Sequence, residues 1–561
     1  MILLLALACT PAVMAQTEQE RELIEAAAPA RAFAAPLRPR NLLIFTLNKG
    51  YGGHPSIQHA NAAFTAMGRK TGAFKTEVSS DPSVFEIESL RRFDAVLFNN
   101  TVGNCFTNGH LRRNLQEFVT GGGGLMGLHG TTVAFTQWPG AVEDWPEFGY
   151  MIGARGASHK ESTERVWVKV EEPGHSLARM FPPAGFEFRD EFFRYPDTFS
   201  RERVRVLLSM DTEKTDLGPP GSFPHVRRAD NDYALAWIRN YGRGRVFHST
   251  IAHNPYVFWN TNILAFYLAA AQFAVGDLPA PTTPSSRLSP AVAAWEQLGW
   301  KLGIEAYTFH KFTLFETFEK TRSLGLPYVG GLSFQRVSRD IGKNFDPQLS
   351  NAELEQVRLE MEKNGLRMLT YYIHDIPNNE PEARRIFEFG RKMGIETFMS
   401  EPAPQALDLV SKLADEYGIN VALHNHDRKA SPAYWNPEGI LESCKGRSLR
   451  LGAAADIGYW IRAGLDPVDG IRKLKHRLIT LQMHDLTSTA ADAHDVPWGA
   501  GAGRSREIFA ELQRLNVKPT MIGLEYSHNW MESMPEIRKC IEFFNNTALN
   551  LAERKPEATH P

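Results

Sequence analysis

One rhythm dominates the second half of this chain: a short apolar run, then a stretch of helical period, repeated eight times between residues 295 and 553. The apolar runs fall at 302–308, 328–333, 367–373, 395–400, 420–425, 451–455, 478–483 and 521–524. Between them, 352–364, 380–393, 403–417 and 505–515 place apolar residues at helical spacing, and three of these end on Gly365, Gly394 and Gly418. A glycine there takes the left-handed conformation that closes a helix. Eight strand-then-helix units over about 255 residues match the size and count of a (β/α)8 TIM barrel. An open doubly wound sheet rarely needs eight units so regular.

In such a barrel the chemistry sits at the C-terminal ends of the strands. Here the runs finish on Thr308-Phe309-His310, Gln335, His374-Asp375, Glu401, His424-Asn425-His426, Asp456, His484-Asp485 and Glu525. A lone His or Glu at a strand end is more often a hydrogen-bonded loop residue than a ligand. Polar, proton-transferring or metal-capable groups at nearly every end are harder to explain by structural need. Carboxylates mixed with imidazoles suit one divalent ion such as Mn, Co, Zn or Mg. Cys9, Cys105, Cys444 and Cys540 lie far apart with no CxxC spacing. That removes thiolate metal sites and a disulfide framework, and leaves the last three as buried free thiols.

The barrel resembles the xylose isomerase-like, sugar phosphate isomerase/epimerase family over residues 300–550. The resemblance is carried by AYTFH (306–310), MSEPAPQALDLVSKLADEYGINVALHNHD (399–427), AADIGYWIRAGLDP (454–467), LQMHDL (481–486), DVPWGAG (495–501) and IGLEYSHNW (522–530). It implies one divalent ion held by strands five to eight, with Asp456, His484 and Glu525 at the positions of the strand-six carboxylate, strand-seven imidazole and strand-eight carboxylate. Two positions depart from the family. His424 stands where the epimerases usually carry a metal-binding glutamate, and Tyr459 where a histidine commonly follows the strand-six aspartate. Glu401, ending strand four, is the candidate to supply the missing charge, so the expected metal set is Glu401, His424, Asp456, His484 and Glu525.

The implied chemistry is removal of a proton α to a carbonyl, the ion stabilising the enediolate. Glu525 or Glu401 would be the base, and His426, His374 or His310 the acid partner. Asp485 reads as support for His484. Asn425, Tyr459 and Trp498 are the expected substrate-binding residues, although Trp498 in the turn 496–499 fits a ring packed downward nearly as well.

The first half alternates strand and helix more loosely, with apolar runs at 41–47, 74–79, 95–99, 123–128, 165–170, 204–210 and 245–249. An open, mostly parallel α/β sheet fits this pattern. The run Thr120 to Gly130 brings glycines to an apolar strand and then His129 to a sharp turn, with neither the Gly-Lys-Ser/Thr of a P-loop nor the dinucleotide-binding spacing. This region resembles the trehalose-utilisation, ThuA-like family of the class I glutamine amidotransferase-like fold, on GGHPSIQHA (52–60), GGGLMGLHGTTVAF (122–135), MIGARGASH (151–159), RDEFFRYP (189–196) and ALAWIRNYGRGRVFHSTIAHN (234–254). Amidotransferases carry a cysteine nucleophile after this strand. His129 occupies that place, which argues against amidotransferase activity. His54, His129, His159, Glu191 and His253 form either a sugar-binding cleft or the satisfied loops of a structural domain.

The order expected along the chain is a signal peptide at 1–15, a leader at 16–37, the ThuA-like domain at 38–276, a Pro-rich linker at 277–294, the barrel at 295–553 and a tail at 554–561. The apolar start, ending in small residues before Gln16, points to export, with the periplasm as destination. No later run reaches the ~20 apolar residues of a membrane span. Lys and Arg number 62 against 64 Asp and Glu, for a formal net charge of -2. That balance lacks the basic surface of a nucleic-acid binder and favours an uncharged sugar or keto-sugar. The expected function is a metal-dependent sugar isomerase or epimerase. The alternatives are a 3-keto-glycoside lyase or hydrolase sharing the enolate step, and a non-catalytic carbohydrate-binding protein.

Overall fold

A computed structural model of the protein describes residues 16–137, 142–156, 158–195, 198–219, 221–222, 224 and 227–553. The expected signal peptide and tail lie outside the described residues. The chain divides into two compact units between Ser286 and Arg287.

The first unit is built on a nine-stranded sheet: β1 (Asn41–Phe45), β2 (Lys75–Ser79), β3 (Ala95–Asn99), β4 (Gly124–Leu128), β5 (Glu164–Val170), β6 (Phe186–Asp190), β7 (Arg205–Met210), β8 (Ala234–Tyr241) and β9 (Gly244–Ser249). Their spatial order is β6-β5-β7-β8-β9-β4-β3-β1-β2. From β2 to β9 all neighbours are parallel, and from β9 to β6 they are antiparallel. Strands β6 and β8 are additions to the seven apolar runs read from the sequence. β8 is buried along nearly its whole length, so it shows no inside-outside alternation. β6 carries three charged residues among its five.

The stretch expected as a free leader is ordered. Helix α1 (Glu18–Ala27) starts in a capping box between Thr17 and Glu20 and buries Ile24 and Ala27. Beyond it, the buried Gln272 amide accepts from the Phe33 N–H at 2.7 Å and donates to the Ala34 carbonyl at 2.6 Å. Pro-rich residues up to Ser286 likewise belong to this unit rather than spanning freely. Asp277 accepts from Arg40 Nε at 3.0 Å and Nη2 at 2.6 Å, while Arg40 Nη1 reaches Asp94 at 3.1 Å. Asp277→Ala leaves a buried guanidinium half compensated, and we expect a loss of up to about 3 kcal/mol, measured as a lower denaturant midpoint.

The second unit closes eight parallel strands into a barrel: β10 (Leu302–Glu305), β11 (Tyr328–Leu332), β12 (Arg367–Tyr372), β13 (Thr397–Ser400), β14 (Asn420–His424), β15 (Leu451–Asp456), β16 (Leu478–Met483) and β17 (Ile522–Leu524). β10 pairs with β17 to complete the ring. The glycines expected as helix stops have φ of 61° at Gly365, 71° at Gly394 and 61° at Gly418. Several strands begin or end a residue or two inside their apolar runs, and β10 falls furthest short. β10 stops at Glu305, and Ala306–Phe309 turns into a 3-10 helix. This puts the Glu305 carboxyl at the strand's end. Cys105, Cys444 and Cys540 are buried free thiols, pushed up by burial to about 12, 11 and 12. Among the described residues no helix is long and apolar enough to cross a membrane.

Candidate functional site

At the C-terminal end of the barrel strands lies a cavity of about 200 Å³ whose lining includes Glu305, Tyr307, Phe334, Tyr372, His424, His426, Asp456, Tyr459, Gln482 and Glu525. Its floor is a group of buried donors. His424 closes β14 and Asp456 closes β15, while His484 and Glu525 follow directly on β16 and β17. A single oxygen, Asp456 Oδ2, stands 3.7 Å from His424 Nε2 and 3.7 Å from His484 Nε2. Glu525 Oε1 is 3.9 Å from His484 Nε2. These gaps are too long for hydrogen bonds and of the size left when donors surround a cation.

The tautomer of His484 is set from behind. Its Nδ1 lies 2.8 Å from Asp495 Oδ1, which can only accept, so Nδ1 carries a proton and Nε2 is the nitrogen turned toward Asp456 and Glu525. Nε2 is buried without a hydrogen-bond partner. Asp495 is itself fixed by the Ser527 N–H, at 2.8 Å. Burial opposes charging His424 and His484, yet Asp456 and Glu401 push the first up to about 9, and Asp495 and Asp456 push the second up to about 10. The carboxylates thus call for positive charge at this point, and a divalent ion would meet the same demand.

Glu401 stands on the other side of His424. Its Oε1 is 3.5 Å from His424 Nδ1 and 2.7 Å from His426 Nδ1, and it accepts from the Tyr372 hydroxyl at 3.1 Å. Burial works against its charge, but His424 and His426 hold it well below the usual carboxylate range. The structure therefore groups Glu401 with His424 and His426, apart from Asp456, His484 and Glu525. Glu401, His424 and His426 thus form a second group able to hold a metal ion, with His424 placed between the two.

The other expected residues divide. Tyr459 lines the cavity with its ring 4.8 Å from that of His426. His374 is 71% exposed on the rim, 3.2 Å from the Tyr372 hydroxyl. His310 stacks on Tyr307 at 4.5 Å, outside the lining. Asn425 clasps the neighbouring strand, donating to the Asp456 carbonyl and accepting its N–H, both at 2.9 Å. Trp498 is packed downward against Phe509 and Phe544, away from the cavity. Asp485 accepts from the N–H groups of Gly499 and Gly503 at 2.7 Å, so it shapes the loop after β16 and it is Asp495 that supports His484.

Sequence reasoning passed over Glu305, Tyr372, Gln482 and Asp495. Glu305 is 2% exposed and accepts from the Thr370 hydroxyl at 3.1 Å. Burial, reinforced by Glu525, pushes it up to about 8. Gln482 donates to Glu525 Oε2 at 2.8 Å. The only signal available for Glu305 was a carboxylate within an apolar strand, and for Asp495 an acid in the loop after His484.

In the first unit His54, His129, Glu191 and His253 come together, with ring centroids 4.9 to 5.4 Å apart among the histidines. His159, 39% exposed, lies 3.4 Å from Glu191 Oε2. Burial and the neighbouring imidazoles push His253 down to about 4 and His54 well below its ordinary value.

Residues 41–274 match the family model described as ThuA, trehalose utilisation. No curated protein sequence matches the chain. Among solved structures, an uncharacterised protein from Parabacteroides distasonis ATCC 8503 is 31% identical over 44% of this chain and 99% of that one, with a TM-score of 0.37. A D-tagatose 3-epimerase-like protein is 17% identical over 44% of this chain and 98% of its own, with a TM-score of 0.35. A xylose isomerase-like TIM barrel protein from Mycobacterium smegmatis, in complex with magnesium, is 14% identical over 45% of this chain and 98% of its own, with a TM-score of 0.36. The first unit thus contains a ThuA-like domain, and the solved structures similar to this chain include xylose isomerase-like and sugar epimerase barrels.

Proposed function

We propose that the barrel is a metal-dependent enzyme that removes a proton α to the carbonyl of an uncharged sugar or keto-sugar, with isomerisation or epimerisation as the outcome. The observation that carries this reading is the placement of Asp456 Oδ2 between the Nε2 atoms of His424 and His484, beside Glu525, at the floor of a cavity. His424, Asp456, His484 and Glu525 would hold one divalent ion. When bound, the ion supplies Lewis acidity that eases ionisation of the carbon acid.

The chain's own residues supply the proton traffic. His426 lines the cavity with Nδ1 on Glu401, so its Nε2 is left to take or give a proton, as an imidazole backed by a carboxylate does. Burial raises Glu525 above the ordinary carboxylate range, which suits a carboxylate asked to carry a proton. Tyr459 and Tyr307 border the space with rings that can flank a sugar. The absence of Lys and Arg among the described lining residues supports an unphosphorylated substrate. It also keeps a second reading open, β-elimination or hydrolysis of a 3-keto-glycoside, which begins with the same step. The N-terminal run supports export, tested by finding Gln16 at the start of the mature protein.

Incubating the metal-loaded chain with free ketoses and with 3-keto-glycosides separates the readings, since epimers report the first and released aglycone the second. Turnover of neither class would leave the barrel a binding protein. Glu401→Gln keeps the shape of the side chain and removes the charge behind His426 and His424. We expect kcat to fall about 10- to 100-fold with a smaller change in KM, and the acid limb of the pH profile to move. A pure KM effect would place Glu401 in substrate binding.

A further inference from the structure

The first unit carries a second cluster of donors that the barrel's chemistry does not use. His54, His129, Glu191 and His253 arrive from four separate segments, and one ligand atom from each lies within 4.8 Å of the others. His129 follows β4 at φ 39°, a conformation that a residue with a bulky side chain rarely adopts. It is held there by the turn after it. The Gly130 N–H donates to Asn100 Oδ1 at 3.2 Å, and the Thr131 hydroxyl donates to the Phe98 carbonyl at 2.7 Å.

The orientation of the His129 ring fixes which nitrogen turns toward Glu191. Nδ1 lies 2.9 Å from the Thr250 carbonyl oxygen, which can only accept, so Nδ1 carries the proton. Nε2 faces Glu191 Oε1 at 3.2 Å. A ring nitrogen and a carboxylate oxygen that meet in a buried pocket need a proton or another positive charge between them. A proton would serve one His–Glu pair, but three imidazoles gather here. His253 Nε2 is 3.6 Å from Glu191 Oε2. His54 is 3% exposed, and its Nδ1 is buried without a hydrogen-bond partner.

We propose that His54, His129, His253 and Glu191 bind one divalent transition-metal ion, independently of the barrel. Donor atoms at ~2.0–2.2 Å from a tetrahedral ion stand roughly 3.3 Å apart, close to the 3.2 and 3.6 Å separations between Glu191 and its two histidines. An imidazole majority with one carboxylate selects zinc, cobalt or nickel over magnesium or calcium. The outer contacts also fit a metal centre. Asp190 accepts from the N–H groups of His253 at 3.1 Å and Asn254 at 3.0 Å, fixing the segment that presents His253, as the Thr250 carbonyl fixes His129.

Cobalt(II) is a direct probe, because tetrahedral coordination gives it strong visible absorption. The test uses the full chain carrying Asp456→Asn and His484→Asn, which removes the barrel's own ion site, stripped of metal and titrated with cobalt. We expect uptake of one equivalent with the tetrahedral spectrum. Adding His129→Asn, which tolerates a positive φ, or the isosteric Glu191→Gln should weaken uptake by at least about tenfold. Circular dichroism and thermal melting establish that each variant is folded, and Glu191→Gln carries the test if His129→Asn is not. No uptake by the two-substitution chain, or uptake unchanged by the first-unit substitutions, would overturn the proposal.

Discussion

If the barrel holds the proposed ion, His484→Asn should abolish metal binding there and lower turnover at least about 10³-fold. The side chain would hold the ion through Nε2 and is aimed by Asp495, so asparagine loses both that nitrogen and the partner behind it. An interaction that stabilises developing charge in a water-poor site contributes several kcal/mol, and about 4 kcal/mol corresponds to that factor. Asp495→Asn is the graded companion. It leaves every cavity donor in place and should weaken metal binding about 10- to 100-fold, with turnover restored at high metal concentration. Metal content by mass spectrometry and turnover across a metal titration check both. If His484→Asn kept full metal content and rate, the barrel's donors would not be those described.

Gly523→Ala has the second large effect, this time on folding as well as activity. A Cβ on Gly523 would come to 2.4 Å from Glu305 Oε1 and 2.6 Å from its Cγ, and one on Gly330 to 1.9 Å from Glu305 Oε2. The two glycines therefore leave the space that the Glu305 carboxyl fills at the cavity floor. Overpacking of this kind costs about 1–3 kcal/mol. Moving the Glu305 carboxyl also disturbs Glu525, the proposed proton acceptor, with which it interacts electrostatically. Removing the obstructing group should repay part of the loss: Glu305→Ala combined with Gly523→Ala should be more stable than the sum of the single changes predicts, by about 1 kcal/mol or more. Chemical denaturation of the four proteins measures this coupling. Strict additivity would mean that Glu305 is not what confines Gly523.

The barrel was legible because its period is written in local chemistry: apolar runs of strand length, helices of repeated spacing, and glycine stops at 365, 394 and 418. Four donors of its candidate site, His424, Asp456, His484 and Glu525, were legible for the same reason, since residues ending consecutive strands must share one rim. What failed was direction. Glu401 and Asp456 both end strands, and only the packed structure shows that Glu401 meets the far nitrogen of His424. Trp498 and Asn425 carry the right chemistry for sugar contact, but the core and the β14–β15 edge claim them. Glu305 was hidden by a one-turn error in the end of β10, because Ala306 to Thr308 continues the apolar run while the backbone has already turned. In the first unit, α1 was hidden by composition: an Ala- and Glu-rich segment reads as a loose leader until its two buried residues find α2 (Ile57–Thr71).

If the barrel ionises a carbon acid, as proposed, hydrogen exchange at that carbon reports it without needing the final product. The metal-loaded chain in deuterium oxide, given a ketose or a 3-keto-glycoside, should place deuterium α to the carbonyl, visible by nuclear magnetic resonance. The Asp456→Asn chain under the same conditions should place none above the uncatalysed rate. Deuterium entering no substrate, or entering equally with Asp456→Asn, would contradict the account.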